Sequence, residues 1–442
     1  MGSQGHIWRF HMLKRLVILV TVIAVLALGT ATLRTEAQSV VEIDFFYPTA
    51  VGGPITQIID EYAAQFNAAN PDIKVNAVYA GGYDEIYKAI QTQISGGGTG
   101  PDVAIFLSVD LFSLIENDFI IPLTDFIEKT EGAKEAIADF FPAFMLNTLD
   151  EFGVVWGIPF QRSTPVMYYN KDLFREVGLD PEVAPKTWQD MLEAAKKLTL
   201  PDGSRWGLMI PSDGFPYWLF QGFAISNGKN LVGESPTEVF FNTPSTVEAL
   251  EFFAVLSRVH KVMPEGIIKW GDTPAAFTSG KAGIIYHTTG SLTNILRNAT
   301  FEVGVGFLPQ GKAGYGAPTG GGNLHILKTS SPAEQAAAWR WIQFLSSPEI
   351  QADWGVKTGY VAARQSAWEL EPLKSLVREK PQYAVARDQL QFAQKELSTY
   401  RGLDVRQIFG KAVQAVITGE KDAKTALDEA QAAADQLLAA YR

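Results

Sequence analysis

The chain of 442 residues contains no cysteine. That excludes disulfides, thiol catalysis, thiolate metal sites and a cysteine-linked lipid anchor. Histidine is scarce too. Of five, His6 and His11 lie near the start, and His260, His287 and His325 are scattered without the spacing of a metal motif. No metal and no cofactor is expected. Positive charge is the minority sign, with 37 Lys and Arg against 48 Asp and Glu, a net charge of −11. Residues 1–37 carry Arg9, Lys14, Arg15 and Arg34 against Glu36, a balance of +3, so the remainder carries −14. That excess argues against nucleic-acid and anionic-membrane binding, and an anionic ligand would need local donors. Beyond Leu16–Leu28, itself short for a bilayer span, no long apolar run occurs. There is no GxSxG elbow and no P-loop. VGVGFLPQG breaks the dinucleotide fingerprint, because Pro309 stands where the last glycine belongs. A carboxylate pair for glycoside hydrolysis is spatial and leaves no local signature, so a secreted carbohydrate-active enzyme stays open as a competing class.

What is present begins with a secretory pattern. Lys14 and Arg15 form a positive region, Leu16–Leu28 an apolar one, and Ala37 offers a small residue at a cleavage point. Residues 1–37 are read as a signal peptide. Met12 opens MLKRL, a natural signal start, so residues 1–11 read as an added leader or an early start. Aromatic residues are abundant at 12%, with ten Trp and fourteen Tyr. They fit either extra core or a cleft with stacking surfaces.

Length allows two domains. VEIDFFY reads as a strand, and Pro54 opens a helix whose Ile55, Ile58, Ile59, Tyr62 and Phe66 share a face until Asn70-Pro71. IKVNAVYA reads as a strand, Tyr83–Ile94 as a helix, and DVAIFLSV as a buried strand of an α/β sheet. Pro159–Asn170 reads as a crossing strand. Thr187 with Asp190 makes a capping-box variant before Met191, Leu192, Ala195 and Leu198. VGVGFLP reads as a return crossing, residues 311–322 as a glycine-dense loop, and NLHIL as a strand. Helices are expected from Pro332, over residues 403–417, and from Ala423. No internal repeat or low-complexity linker occurs.

The stretch PFQRSTPVMYYNKDLFREVGLDPEVAPKTWQDMLEAAKKL carries the most information. With the Phe277-x-x-Gly280-Lys281-x-Gly283 segment and KTGYVA, it resembles the bacterial extracellular solute-binding proteins that feed ABC importers. Within them it is most like the glycerol-3-phosphate-binding members. The resemblance implies an α/β, two-lobed periplasmic-binding-protein fold with a hinged interlobe cleft. Residues 38–157 plus 310–355 would form one lobe, and 158–309 plus 356–442 the other. It implies a periplasmic monomer that catalyses nothing, binds glycerol-3-phosphate or a glycerophosphodiester, and docks on ABC permease transmembrane subunits. An oligosaccharide is the alternative ligand.

The same resemblance assigns cleft residues. Tyr83 in GGYDE, Ser163 in RSTP, Trp188 at a helix start and Thr288 in YHTTGSL match cleft positions. Gly321 matches a glycine whose N–H approaches the ligand, and a side chain there would block that approach. Tyr360 lies in KTGYVA, and Arg406 matches a phosphate-coordinating arginine. Each has a plain structural alternative: ring packing, a local cap, a turn or a surface salt bridge. Thr289 and Ser291 add hydroxyls at a helix start. One departure stands out. Where these proteins have a glutamate gripping glycerol hydroxyls, this chain has Ser108, and Asp110, two residues on, is the candidate substitute. Arg162 either adds a positive group or faces solvent. Trp218 in FPYWLF is a further stacking candidate.

Overall fold

The computed structural model describes residues 40–442; the signal-peptide expectation lies outside the described residues. Among the described residues, no helix is long and apolar enough to cross a membrane. The strands are β1 (Val41–Tyr47), β2 (Ile73–Tyr79), β3 (Val103–Leu107), β4 (Ile158–Ser163), β5 (Pro165–Asn170), β6 (Trp206–Met209), β7 (Ala282–Thr288), β8 (Val303–Gly306), β9 (Ala317–Pro318), β10 (Gly320–Ile326) and β11 (Ala393–Gln394).

They form two main sheets. The first has the order β2-β1-β3-β10-β4, and the second β6-β7-β5-β8. In the first, β1 runs parallel to β2 and β3, as a strand–helix alternation requires, and β10 returns antiparallel between β3 and β4. The helix Ile55–Ala69 buries the face read from its spacing, Ile55, Ile58, Ile59, Tyr62 and Phe66. Trp341, from the helix Pro332–Leu345, fills the space between Phe66 and Phe45 of β1, edge-on to both at 5.1 and 5.5 Å. Every residue of β3, β4, β5 and β7 is buried, and burial on both faces is why β3 reads as an apolar run rather than an alternation.

The segment Pro159–Asn170 is two strands rather than one. β4 pairs with β10 in the first sheet, and β5 pairs with β7 and β8 in the second. The chain passes between sheets at Thr164, whose hydroxyl donates to the carbonyl of Pro318 at 2.9 Å. Further connections run through residues 307–316 and through β11, which pairs with β9 in a short parallel ribbon. The helices Gly402–Thr418 and Ala423–Leu438 close the chain.

Candidate ligand-binding cleft

The sheets face each other across a cleft. Its outer part is a vestibule of about 880 Å³. Residues 49–52 and 82–85 wall one side; Phe215, Trp270, His287 and Asn294 are on the other. The sides meet where the Trp270 indole Nε1 donates to the carbonyl of Ala50 at 2.9 Å. Ala50, Val51, Tyr83, Phe215 and Trp270 also wall an inner pocket of about 30 Å³. That is space for about two waters. Its aromatic walls lie close together, and a sugar-sized solute requires the two sides to part.

Six of the ten residues expected in the cleft line this inner pocket: Tyr83, Ser163, Trp218, Thr288, Gly321 and Tyr360. Tyr83 opens the helix Tyr83–Ser95 after Gly82, and Tyr360 follows the left-handed Gly359 that ends the helix Pro348–Thr358. One amide fixes both rings, since Gln161 Nε2 donates to the hydroxyls of Tyr83 and Tyr360 at 3.0 and 3.1 Å. Ser163 ends β4 and Thr288 ends β7, so both hydroxyls sit where strands stop. Thr288 also accepts the Gly290 N–H at 3.2 Å, and Ser291 meets His287 Nδ1 at 2.9 Å. Thr289 Oγ1 is buried without a partner. His287 lies against the Trp270 ring, and burial lowers its pKa to about 3, so it stays neutral. Gly321 has φ +88°, and a Cβ there would stand 1.9 Å from the carbonyl oxygen of Gln161, so only glycine fits. Trp218 sits in the first turn of the helix Pro216–Ser226, with its indole held by the carbonyl of Thr319 at 2.6 Å.

Four expected residues lie elsewhere. Trp188 does open a helix with the Thr187–Asp190 capping box, but its ring stacks on Phe252 at 4.8 Å and meets Phe223 at 5.4 Å. It belongs to a packing cluster away from the pocket. Ser108 and Asp110 are not on a strand, because β3 stops at Leu107 and residues 108–110 form a 3₁₀ turn. The turn sends the two side chains to different partners. Asp110 accepts Arg406 Nη1 at 2.7 Å in a buried ion pair. Arg406 lines a side chamber of about 250 Å³ that shares the Leu107, Phe215 and Tyr217 wall with the inner pocket. Burial opposes its charge, yet Asp110 more than offsets this and holds it protonated. Arg162 does not face solvent. It is fully buried over the Phe144 ring, with Nη1 donating to Asn323 Oδ1 at 3.0 Å and with Nε and Nη2 unpartnered. Burial lowers its pKa to about 10.

Phe215, Tyr217, Trp270 and Glu396 also line the inner pocket and were not expected. Glu396 is the most informative. Ser108 donates to its Oε2 at 2.7 Å, and the Tyr217 hydroxyl to its Oε1 at 3.4 Å. Its backbone N–H donates to Asn147 Oδ1 at 3.0 Å, and Asn147 Nδ2 donates back to its carbonyl at 3.3 Å. Burial raises its pKa to about 7, against the pull of Ser108, Arg162 and Arg406. No motif marks Glu396. FPYWLF did mark Trp218, and the same cluster of rings could have pointed to Phe215 and Tyr217.

Residues 61–383 match the family model of the bacterial extracellular solute-binding proteins. The chain belongs to that family. This solute-binding protein is 29% identical over 430 residues to the sn-glycerol-3-phosphate-binding periplasmic protein UgpB of Escherichia coli K12, covering 93% of this chain and 96% of that one. Among solved structures it resembles UgpB from Mycobacterium tuberculosis in complex with glycerophosphocholine. The TM-score is 0.79 at 22% identity, over 90% of this chain and 98% of that one. It resembles maltose-bound MalE3 of T. maritima equally, with a TM-score of 0.79 at 24% identity over 90% and 100%. The family is one of binding proteins of the extracellular or periplasmic space, and the α/β fold of two sheets is theirs.

Proposed function

We propose that this solute-binding protein captures a glycerol phosphate ester, glycerol-3-phosphate or a glycerophosphodiester, and delivers it to the transmembrane subunits of an ABC importer. The carrying observation is the convergence of Tyr83, Ser163, Trp218, Thr288, Gly321 and Tyr360 on one pocket at the junction of two sheets. Five distant stretches of chain supply hydroxyls and rings to that point, as a polyol requires. The two sheets act as two lobes, hinged at Thr164, at residues 307–316 and at residues 393–399. Solute enters while they stand apart, and closure buries it. The mature protein is a periplasmic monomer released from its signal peptide, and it leaves its ligand unchanged. A sugar is the second reading, favoured by the rings of Tyr83, Phe215, Trp218 and Trp270 around the pocket and by the likeness to a maltose-bound protein.

Thermal unfolding with glycerol-3-phosphate, glycerophosphocholine, maltose, trehalose and inorganic phosphate separates these readings. A ligand at about a hundred times its dissociation constant adds roughly 2.7 kcal/mol of stability. A gain with the glycerol phosphate esters alone is expected. A gain with sugars alone would overturn the ester reading, and chemical conversion of a bound probe would overturn the binding-protein reading.

A further inference from the structure

Glu396 occupies an unusual position. Among the described residues lining the inner pocket it is the one carboxylate, and no lysine or arginine joins it. Arg406 is committed to Asp110 at 2.7 Å, and Arg162 bonds Asn323 at 3.0 Å. Neither forms an ion pair with Glu396 among the described residues. The carboxyl group has about four acceptor positions. Protein hydroxyls address one on each oxygen, Ser108 and Tyr217. The pocket lies beside the rest. A buried carboxylate short of donors is costly, and donors brought by a ligand remove that cost.

Its backbone is anchored from both sides of the cleft. Asn147 holds Glu396 itself, and Ser398 Oγ donates to the carbonyl of Val109 at 2.9 Å. From the second-sheet side, Gln221 and Asn230 each donate to the carbonyl of Lys395, at 3.0 and 2.9 Å. The carboxyl group therefore keeps its aim at the bottom of the cleft, where the two sides join.

We propose that Glu396 is the specificity-determining residue of this cleft: it takes hydrogen bonds from the hydroxyl groups at the polyol end of the ligand and keeps an anionic group out of the inner pocket. The ligand lies with its hydroxyls inward among Ser163, Thr288 and Glu396, and with its phosphate away from them. Ser108 and Glu396 face each other across a hydrogen bond, so the carboxyl group could be presented from either position.

This rests on the inner pocket being the ligand site, and titration calorimetry can separate the two claims. The probes are glycerol-3-phosphate, glycerophosphocholine and maltose. The variants are Glu396→Ala, Glu396→Gln, the exchange Ser108→Glu with Glu396→Ser, and Tyr83→Ala as the pocket control. Glu396→Ala should weaken whichever probe the parent binds by roughly ten- to a hundredfold, the range of a hydrogen bond to a charged group. Glu396→Gln keeps shape and fold and should weaken it in the same sense. The exchange should restore most of the loss. Loss of binding in Tyr83→Ala with none in either Glu396 variant would sink the Glu396 assignment and leave the pocket standing. A folded exchange variant that regains nothing would also sink it, assigning the effect to hinge packing. Parental binding in all variants, or no probe bound by the parent, would overturn the pocket itself.

Discussion

At the scale of single residues, burial decides which charges survive. Glu396 is a carboxyl group whose folded pKa, about 7, lies above its ordinary 4.5. Such a group favours the folded state below the ordinary value, and that contribution is lost as pH rises through the folded one. Glutamine in its place has no proton to lose. The stability of Glu396→Gln relative to the parent should therefore rise by about 2 kcal/mol between pH 5 and pH 7, measured by urea unfolding at each pH. The comparison must be with the parent, because two buried histidines tilt the overall profile the other way. His287 and His325 are drawn down to about 3 and about 4, so both oppose folding once the pH falls below about 6.5. Arg406 makes a second case. Truncating it strands Asp110 as an unpaired buried charge, so Arg406→Ala should cost about 3–5 kcal/mol, and adding Asp110→Asn should recover part of that. Unfolding midpoints of the two variants test this. An unchanged midpoint for Arg406→Ala would return the arginine to the role of a free ligand-binding group.

At the scale of elements, what matters is where each one stops. β3 ends at Leu107 and turns through a 3₁₀ segment, and that turn sends Ser108 to Glu396 and Asp110 to Arg406. Had the strand continued, the two side chains would have shared a face, as alternation predicts. The helix from Trp188 is started by a capping box, with Thr187 and Asp190 each bonding the other's backbone N–H at 3.0 Å. Its first-turn ring then packs on Phe252 rather than on a ligand. Thr187→Ala should cost about 1 kcal/mol. Ligand affinity, read by calorimetry, should stay at the parental value. A drop in affinity would place this helix start in the site.

At the scale of the whole molecule, the cleft is drawn together. The Trp270–Ala50 hydrogen bond joins one wall to the other, and the inner pocket has little space left. Trp270→Phe keeps a ring but removes the donor. Without ligand, this variant should show a larger radius of gyration in small-angle scattering than the parent, and saturating ligand should reduce the difference. Equal radii without ligand would mean that this bond does not hold the cleft closed.

Periodicity and caps are local, so the sequence alone determined most elements. The spacing of Ile55 to Phe66, the apolar run of β3, the capping box at Thr187 and the terminal helices were all legible, because each depends on neighbours within a turn or a strand. Motif likeness carried five pocket residues, because Tyr83, Ser163, Thr288, Gly321 and Tyr360 stand at element ends with local signatures, and the ring cluster FPYWLF carried Trp218. Only the tertiary structure decided the rest. Ser108 meets Glu396 across 288 positions of sequence, and Asp110 meets Arg406 across 296. Nothing within a turn of either residue encodes such a partner. The pairing of β11 with β9, and the bonds from Ser398 to the Val109 carbonyl and from the Gly402 N–H to Ser113, bring these stretches together. A carboxyl group or a guanidinium takes its protonation, its partner and its access to the cleft from that assembly, because each depends on which groups replace water around it.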